Sequence, residues 1–406
     1  MTVSSVGPAS YAAGMERIGV AQRRARLGVR HHLAPQAQAP DVVTATRGML
    51  ALHGTDPATV YLSAWARVTG HLVPELEKAL YDDRVLIRML GMRRTIFVLP
   101  VELAPVVQAG CTRAIAARER RKTEQFLVEG GVTDDPAPWL ARVEAATLTA
   151  LRQRGTALST DLSADVPELA ERIVLARGKA YEATQSVASR VLPLLAADGV
   201  LVRGRPRGSW LSGGQYWWSV LDEWLPGGLA ELPPAEARAE LARAWLWTFG
   251  PARVADLKWW SGWTLGQTRA ALAAVGVVEV DLDGTPGVAL PDDLAPVPAP
   301  APYAALLPVL DPTTMGWQDR GWYLGPHGKA LFDTNGNAGP TVWWDGRIVG
   351  GWAQRKSGEV VLRFLEDAGA EAVAAAEQRA AGLQEWLGPA RITPRFRTPL
   401  ERELVA

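Results

Sequence analysis

The stretch V-V-E-V-D-L-D-G-T-P-G-V-A-L, residues 277–290, carries the clearest structural signal in the chain. Apolar residues lie on both sides of Asp283-Gly284, and an Asp-Gly pair between such runs is typical of a tight β-hairpin. Three segments with helical spacing come just before it, at 234–249, 254–261 and 265–275. The stretch therefore predicts a unit of three helices closed by a hairpin.

The same order of elements recurs in a first copy nearer the N-terminus. Asp56-Pro57 marks a helix start there, because aspartate caps helices and proline is favoured at the first helical position. The predicted elements are helices at 42–53 and 56–68, a helical turn at 76–81, and strands at 84–90 and 94–99. This copy predicts a second unit of helices followed by a hairpin.

A further copy lies between these two. Val187, Val191, Leu194 and Leu195 fall on one face of a predicted amphipathic helix. The predicted elements are a helix at 143–152, a turn at 154–155 that leads to the 159–173 region, a helix at 184–197, a strand at 200–202, a basic turn at 203–208 and a strand–turn–strand segment at 210–218. Three helices with a β-hairpin wing are typical of winged-helix units, which place a helix in the major groove of DNA.

Beyond the third copy, the Pro/Ala-rich stretch 291–302 predicts a stiff linker. Strands are expected in the β-rich region after it, and a closing helix at about 370–387. The fold class is therefore α+β, with tandem winged-helix domains and a C-terminal β-rich domain. The predicted boundaries are 1–135 for the first unit with its N-terminal helices, 136–230, 231–292 and 303–406.

Composition sets limits on the class of protein. The chain has 406 residues and is 48% hydrophobic, which is enough for several cores. Its only cysteine, Cys111, excludes internal disulfides and multi-cysteine metal sites. Residues 1–14 show no secretory signal, and no apolar run is long enough for a membrane span. We expect a cytoplasmic monomer that is nucleoid-associated when bound to DNA.

The charge is balanced overall but clustered along the chain. The formal net charge is zero and the pI is about 7.0, whereas nucleic-acid-binding domains are usually basic. A positive face can nevertheless attract DNA, because local potential and not net charge attracts a polyanion. The basic clusters lie at 17–30, 84–94, 113–122, 190–207 and 391–402. An Ala/Arg/Gly/Pro-rich composition would give the same arginine bias without any such role.

Arginines on the predicted wings are the candidate DNA contacts, since guanidinium groups suit phosphates and guanine edges. The candidates are Arg203, Arg205 and Arg207 on the second wing, Arg93 and Arg94 on the first hairpin, and Arg190 on a helix. A solvated, arginine-rich loop is the alternative interpretation. Each phosphate contact would add salt-dependent affinity.

Histidines and tryptophans receive mainly structural interpretations. His31-His32 adjoins an arginine-rich helix, which favours surface or phosphate contacts over metal ligation. The 17 tryptophans are expected to fill cores, with at most one member of each adjacent pair free to meet a ligand. Nucleotide-binding loops are absent, and neither a metal nor an organic cofactor is expected.

Four stretches together resemble the winged-helix DNA glycosylases of the AlkZ/YcaQ type, and the resemblance covers essentially the whole chain. They are Leu50-Ala-Leu-His-Gly-Thr-Asp-Pro-Ala-Thr-Val-Tyr-Leu-Ser-Ala-Trp-Ala-Arg67, Arg88-Met-Leu-Gly-Met-Arg-Arg-Thr-Ile-Phe97, Leu307-Pro-Val-Leu-Asp-Pro312 and Asp345-Gly-Arg-Ile-Val-Gly-Gly-Trp352. The resemblance implies three winged-helix units and a barrel-like C-terminal domain around a DNA channel. It also implies excision of bulky alkylated purines or unhooking of crosslinks, in several members as self-resistance to DNA-damaging antibiotics.

The family's catalytic motif is Gln-x-Gln or Gln-x-Asp, and the matching positions here are His53 and Thr55. By this resemblance His53 would orient or deprotonate water, Thr55 would hold the same water, and Asp56 would offset positive charge on the sugar. The alternatives are a structural histidine at a helix end and an aspartate that only caps a helix. With no lysine nearby, strand cleavage through a Schiff base is not expected.

Three functions remain open from the sequence. The first is a monofunctional glycosylase acting on N7-alkylated or bulky purines in double-stranded DNA. The second is a non-catalytic DNA-binding protein, either a regulator or a shield for lesions, which the missing glutamines favour. The third is sequestration of a small molecule between aromatic-rich domains.

Overall fold

The computed structural model describes residues 15–70, 72–175, 178, 182–211, 213–394 and 397–406. Residues 1–14, for which the sequence predicts no secretory signal, lie outside these ranges. The chain divides into two compact units. The first unit comprises Met1–Leu50, Leu62–Gly70 and Arg238–Ala406, and the second comprises Ala51–Tyr61 and His71–Ala237.

Helices make up much of both units. The α-helices are Val20–Arg30, Val42–Gly48, Pro57–Trp65, Leu72–Glu77, Ala104–Val107, Arg113–Glu129, Pro136–Arg154, Ser159–Asp165, Ala188–Ala197, Leu221–Trp224, Pro234–Phe249, Val254–Ser261, Leu265–Val275, Gly321–Leu324, Gly328–Leu331, Ala370–Leu387 and Pro399–Val405. Short 3₁₀ turns lie at Pro35–Ala37, Met92–Arg94, Val101–Leu103 and Pro167–Ala170, and π-helical turns at Lys78–Asp82 and Gln108–Thr112. Within the described ranges, no helix combines the length and hydropathy that crossing a bilayer requires.

The strands form several small sheets, each contained in one unit. In the second unit, Leu52–His53, Ile96–Pro100 and Leu86–Leu90 form one sheet, Thr156–Ala157, Tyr216–Val220 and Leu201–Pro206 another, and Arg172–Leu175 and Ala183–Ser186 a third. In the first unit, Glu16–Arg17, Val278–Asp281 and Pro286–Ala289 form one sheet, and Ala304–Leu307, Thr341–Trp344, Arg347–Gln354 and Val360–Phe364 another. The fold is therefore a mixed α+β arrangement, as the sequence predicts.

The third helix-and-hairpin segment has the predicted elements. Helices span Pro234–Phe249, Val254–Ser261 and Leu265–Val275, the bounds that the sequence predicts. The hairpin pairs Val278 with Ala289, and Asp283 and Gly284 at its turn have φ of 52° and 85°. Those left-handed angles are what an Asp-Gly turn supplies at low cost. The predicted hairpin is confirmed.

In the first segment, the helix predicted over 42–53 is wrong in its second half. The helix ends at Gly48, where a Cβ would collide with the imidazole of His32, and Leu50 has φ of 65°. Leu52–His53 is instead an edge strand that pairs antiparallel with Phe97 and Val98. A strand partner more than forty residues away overrides local helical spacing here, so His53 does not lie at a helix end.

In the second segment, the helix predicted from Thr184 begins only at Ala188, because Ala183–Ser186 pairs as a strand with Arg172–Leu175. The predicted apolar face is confirmed: Val187, Val191, Leu194 and Leu195 are each at most 3% exposed in the core of this unit. The strand Leu201–Pro206 extends through most of the stretch predicted as a basic turn. Arg203 and Arg205 therefore lie in a strand and not in a loop.

The C-terminal region differs from the barrel-like domain that the resemblance implies. Its four strands pair in chain order as an open antiparallel sheet, and within the described residues this sheet is not closed. The helix Ala370–Leu387 packs on this sheet. Four strands are too few to close a barrel, so a helix covers the apolar face instead.

The stretch 291–302, predicted as a linker, is fixed by hydrogen bonds to the helix Val20–Arg30. Arg26 Nη1 lies 2.8 Å from an oxygen of the buried Asp293, and Arg26 Nη2 donates to the Ala295 carbonyl at 2.9 Å. Arg30 also binds the Asp293 carboxylate, at 2.9 Å from Nη1 to Oδ2. These arginines of the first basic cluster therefore serve internal packing.

A fully buried ion pair lies in the first unit. Arg67 and Asp311 are both 0% exposed, and the guanidinium donates to the two carboxylate oxygens at 2.9 and 2.7 Å. Ser63 Oγ and the Thr313 N–H donate to the same carboxylate at 2.7 and 2.9 Å. The two partners come from two of the stretches that carry the family resemblance. In this structure the ion pair that links those two stretches lies in the buried interior of the first unit.

His31 belongs to the same buried network, so the expectation of a surface or phosphate contact is wrong. It is 0% exposed, its Nδ1 lies 2.8 Å from Thr313 Oγ1, and its Nε2 lies 3.2 Å from the Thr248 carbonyl. Burial and then the positive charge of Arg67 hold the pKa of His31 well below 6.5. The imidazole is therefore neutral in the folded protein at neutral pH.

This burial predicts a loss of stability in mild acid. Below pH 6.5 the His31 side chain takes up a proton in the unfolded chain but stays neutral in the folded one. The free energy of unfolding therefore decreases as the pH falls, by up to about 1.4 kcal/mol per pH unit. The comparison is urea unfolding of the wild type and His31→Gln between pH 5 and 7.5. The variant should show a flatter dependence, and parallel curves would contradict the prediction.

The tryptophan pairs follow the predicted pattern of one buried member. Trp218 is 6% exposed against 38% for Trp217, Trp260 is 7% exposed, and Trp343 is fully buried. The buried members pack in cores, as expected for side chains with so much apolar area. Core packing therefore accounts for half of each pair.

Candidate active site

His53 lies in the edge strand of the first sheet, opposite Phe97. Its imidazole is 7% exposed, and its ring centre lies 5.3 Å from that of Phe97 in an edge-on arrangement. The strand fixes the direction of the side chain, since a strand residue points to one face of its sheet. A small opening to solvent remains at an imidazole whose position is set by the backbone.

Thr55 and Asp56 follow in the turn between this strand and the helix Pro57–Trp65. The Ile96 N–H donates to Thr55 Oγ1 at 3.4 Å, and Thr55 is exposed. Asp56 is half-buried, and its Oδ1 accepts from the Ala58 N–H at 3.2 Å. The helix-capping role of Asp56 is therefore confirmed. An imidazole, a hydroxyl and a carboxylate thus occur within four residues of one turn.

Arg93 and Arg94 form the exposed tip of the hairpin that carries Phe97. Both have left-handed backbone angles, with φ of 53° and 62°. Such angles are uncommon for residues other than glycine and are enriched at functional sites. Arg94 Nη2 forms an ion pair with Glu119 Oε2 at 2.7 Å. The side chain of Arg94 is 54% exposed and that of Glu119 is 22% exposed.

Arg190 lies near this hairpin tip, on the helix Ala188–Ala197. Its guanidinium carbon lies 5.0 Å from the ring centre of Phe126. Burial lowers the pKa of Arg190, Glu119 raises it and the charge of Arg94 lowers it. Arg94 and Arg190 therefore both lie near the carboxylate of Glu119, whose negative charge offsets part of their positive electrostatic potential.

The three arginines of the second predicted wing have different surroundings. Arg205 forms ion pairs at 2.9 Å with Glu77 and at 2.9 Å with Asp82. Arg207 is exposed, and its Nη1 donates to Gln215 Oε1 at 3.0 Å. Arg203 lies over aromatic rings and forms no hydrogen bond or ion pair with the described residues. The triplet is therefore not a uniform row of cations.

Sequence reasoning missed Arg88 and Tyr216 as members of this region. Arg88 is 6% exposed, and its Nη1 donates to the Tyr216 hydroxyl at 2.7 Å. The guanidinium of Arg203 lies 5.0 Å from the ring of Tyr216. The signal available in the sequence was an arginine inside an otherwise apolar strand, a position that requires a specific buried partner.

In the part of the chain that the structure describes, no three His, Cys, Asp or Glu side chains are grouped so that they could hold a metal ion. A hydroxyl and an imidazole can position water, and a carboxylate beside them can stabilise a developing cation.

Comparisons with known proteins agree on one family. A family model described as DNA glycosylase AlkZ-like matches residues 46–386. The solved structure of Streptomyces sahachiroi DNA glycosylase AlkZ is similar to this one with a TM-score of 0.71 and 21% sequence identity, over 93% of this chain and 99% of that chain. Among curated proteins, no sequence matches this chain significantly.

Proposed function

We propose a substrate for this chain, which belongs to the AlkZ-like family of DNA glycosylases. We propose that it excises N7-alkylated and other bulky purine adducts from double-stranded DNA. We further propose that it does so without cutting the strand, and that it protects a cell from a DNA-damaging natural product. The observation that carries the proposal is the turn His53 to Asp56, in which His53 and Thr55 match the two motif positions by sequence resemblance and Asp56 directly follows them.

The chemistry follows from the bond that breaks. Cleavage of the N-glycosidic bond leaves positive character on the sugar, and water then adds to the anomeric carbon. A purine alkylated at N7 is cationic and leaves as a neutral base with the bonding electrons, so little acid catalysis is needed. In this proposal His53 orients or deprotonates the water, Thr55 holds it, and Asp56 stabilises the sugar cation.

Recognition of the duplex rests on the arginines and the helix-and-hairpin segments. We propose that the three segments act as winged-helix units within the boundaries given above, binding DNA as a monomer. Arg93, Arg94, Arg190 and Arg207 would contact phosphates on binding. Such contacts position the protein without reading sequence, as a lesion-directed enzyme requires.

Asp56 variants separate capping from catalysis. Asparagine caps helices as well as aspartate but carries no charge, so Asp56→Asn should keep stability and lower base release on the order of 10²-fold. The assay incubates DNA carrying an N7-alkylguanine and measures free base and alkali-labile sites. The control, Asp56→Ala, should in addition lose about 1 kcal/mol of stability. Full activity of Asp56→Asn would leave this residue with the cap alone.

A second candidate function is supported by the near-burial of His53. A protein that binds DNA without excision would serve as a regulator or a lesion shield, and it needs no accessible imidazole. The same substrate decides between the two. Tight binding of adducted DNA with no released base by the wild type favours the non-catalytic function.

A further inference from the structure

A cavity of about 320 Å³ opens in the second unit, beside the start of the helix Ala188–Ala197. Its polar lining comprises Ser159, Ser186, Ser189, Arg203 and Gln215. Tyr216 and Trp218 supply its aromatic wall. Among the described residues that line it, none is an aspartate or a glutamate. A cationic cavity without an acid is suited to an anion.

Arg203 is the cation of this cavity. Its guanidinium carbon lies 5.0 Å from the ring centres of both Tyr216 and Trp218, which hold the side chain in place. No described carboxylate pairs with it, whereas Arg205, two residues further, has two. Burial, and then the nearby charge of Arg88, lowers the pKa of Arg203. A mostly buried positive charge beside a second one is stabilised by a bound anion.

The start of the helix Ala188–Ala197 adds to this preference. Its N-cap residue, Val187, supplies no side-chain cap, and Ser186, Ala188 and Ser189 line the cavity. The first turn of a helix leaves backbone N–H groups without helical acceptors and carries partial positive charge. Phosphates bind at such helix starts. The helix start and Arg203 therefore favour the same class of ligand.

The cavity also adjoins the candidate active site. Gly213 lines it, and a Cβ on Gly213 would lie 3.7 Å from Cδ of Pro57. Pro57 directly follows Asp56 and begins the helix that Asp56 caps. One residue of the cavity wall therefore lies close to Pro57, the residue that directly follows the turn His53 to Asp56.

We propose that this cavity binds a backbone phosphate of the DNA strand that carries the damaged nucleotide, with Arg203 as its principal ligand. The inference rests on the proposed function. Anchoring a phosphate beside the lesion would place the damaged nucleoside at the turn, because adjacent nucleotides are covalently linked. Positioning of this kind lowers the entropic cost of reaction.

Affinity for DNA tests the site without requiring excision. The probe is a duplex with a tetrahydrofuran abasic-site analogue. Arg203→Gln should weaken its binding about tenfold and reduce the slope of log affinity against log salt by about 1. Arg203→Lys keeps the charge and should restore most of the salt slope, but not the full affinity of the planar fork. The control Arg142→Gln removes an exposed arginine paired with Glu168 at 2.6 Å and should change neither.

Methylphosphonate substitution identifies the phosphate. Replacing single phosphates near the analogue by neutral methylphosphonates should weaken wild-type binding about tenfold at one flanking position. Arg203→Gln should be insensitive at that same position, since its phosphate contact is already lost. Equal sensitivity of the variant and the wild type would overturn the proposal and leave Arg203 with a structural role.

Inorganic phosphate distinguishes the two sources of the anion. Phosphate bound by the wild type without DNA, together with no methylphosphonate effect at any position, would overturn assignment to the DNA strand. These measurements use a substrate that cannot be excised, so they are independent of whether the protein releases bases. Equal sensitivity of Arg203→Gln and the wild type to the methylphosphonate would refute the phosphate site. Absence of base release by the wild type would refute the proposed function.

Discussion

Replacing His53 by alanine is expected to lower the rate of base release from N7-alkylguanine DNA by about 10²–10⁴-fold, the usual contribution of a positioned acid–base group. Binding of the duplex should change little, because the 7%-exposed imidazole offers almost no surface to DNA. The measurement is single-turnover release of free base, with binding measured in parallel. Unchanged release would remove His53 from the mechanism.

Two variants control this result. His53→Gln places at this position the residue type of the family motif and keeps a group that can orient water. It should retain much more activity than alanine if orientation is the main role. His327→Ala removes a histidine that lies 2.8 Å from Glu366 in the first unit, and it should leave release unchanged. Because His53 is nearly buried, urea unfolding of His53→Ala must also show that the fold persists.

The sequence predicted best those elements whose ends are marked locally. The helices Val254–Ser261 and Leu265–Val275 both stop at glycines with left-handed φ, Gly262 at 76° and Gly276 at 72°. The hairpin after them turns at Asp283-Gly284. Each boundary is fixed by a residue preference that acts within a few positions. Local chemistry was therefore sufficient there.

Prediction failed where a distant partner decides the outcome. The strand at His53 forms because it pairs with the strand that carries Phe97. The spacing of apolar residues in 42–53 gives no indication of that pairing. The neutralisation of Arg205 depends on Glu77, 128 positions away. Residue types at the candidate site could be identified from the resemblance. Their burial and their charge partners are properties of tertiary structure.

The ion pair of Arg67 and Asp311 illustrates the same limit, since sequence alone treats both stretches as family signatures. Asp311→Ala is expected to destabilise the protein by about 3–5 kcal/mol, because it leaves the 0%-exposed guanidinium without its carboxylate. The measurement is urea unfolding followed by tryptophan fluorescence. As a control, Asp292→Ala removes an exposed partner of Arg243 and should cost less than about 1 kcal/mol.

A paired substitution shows whether the cost comes from the buried charge left behind. Arg67→Met combined with Asp311→Leu removes both charges and fills similar volume, so it should be clearly more stable than Asp311→Ala. The Nε of Arg67 already has no acceptor among the described residues, so the guanidinium depends on the four hydrogen bonds made by its two terminal nitrogens. If the double variant is as unstable as the single one, the network stabilises the unit through specific geometry. If the double variant regains the stability of the wild type, the ion pair contributes little net stability, and its role is to specify how the segments carrying Arg67 and Asp311 pack.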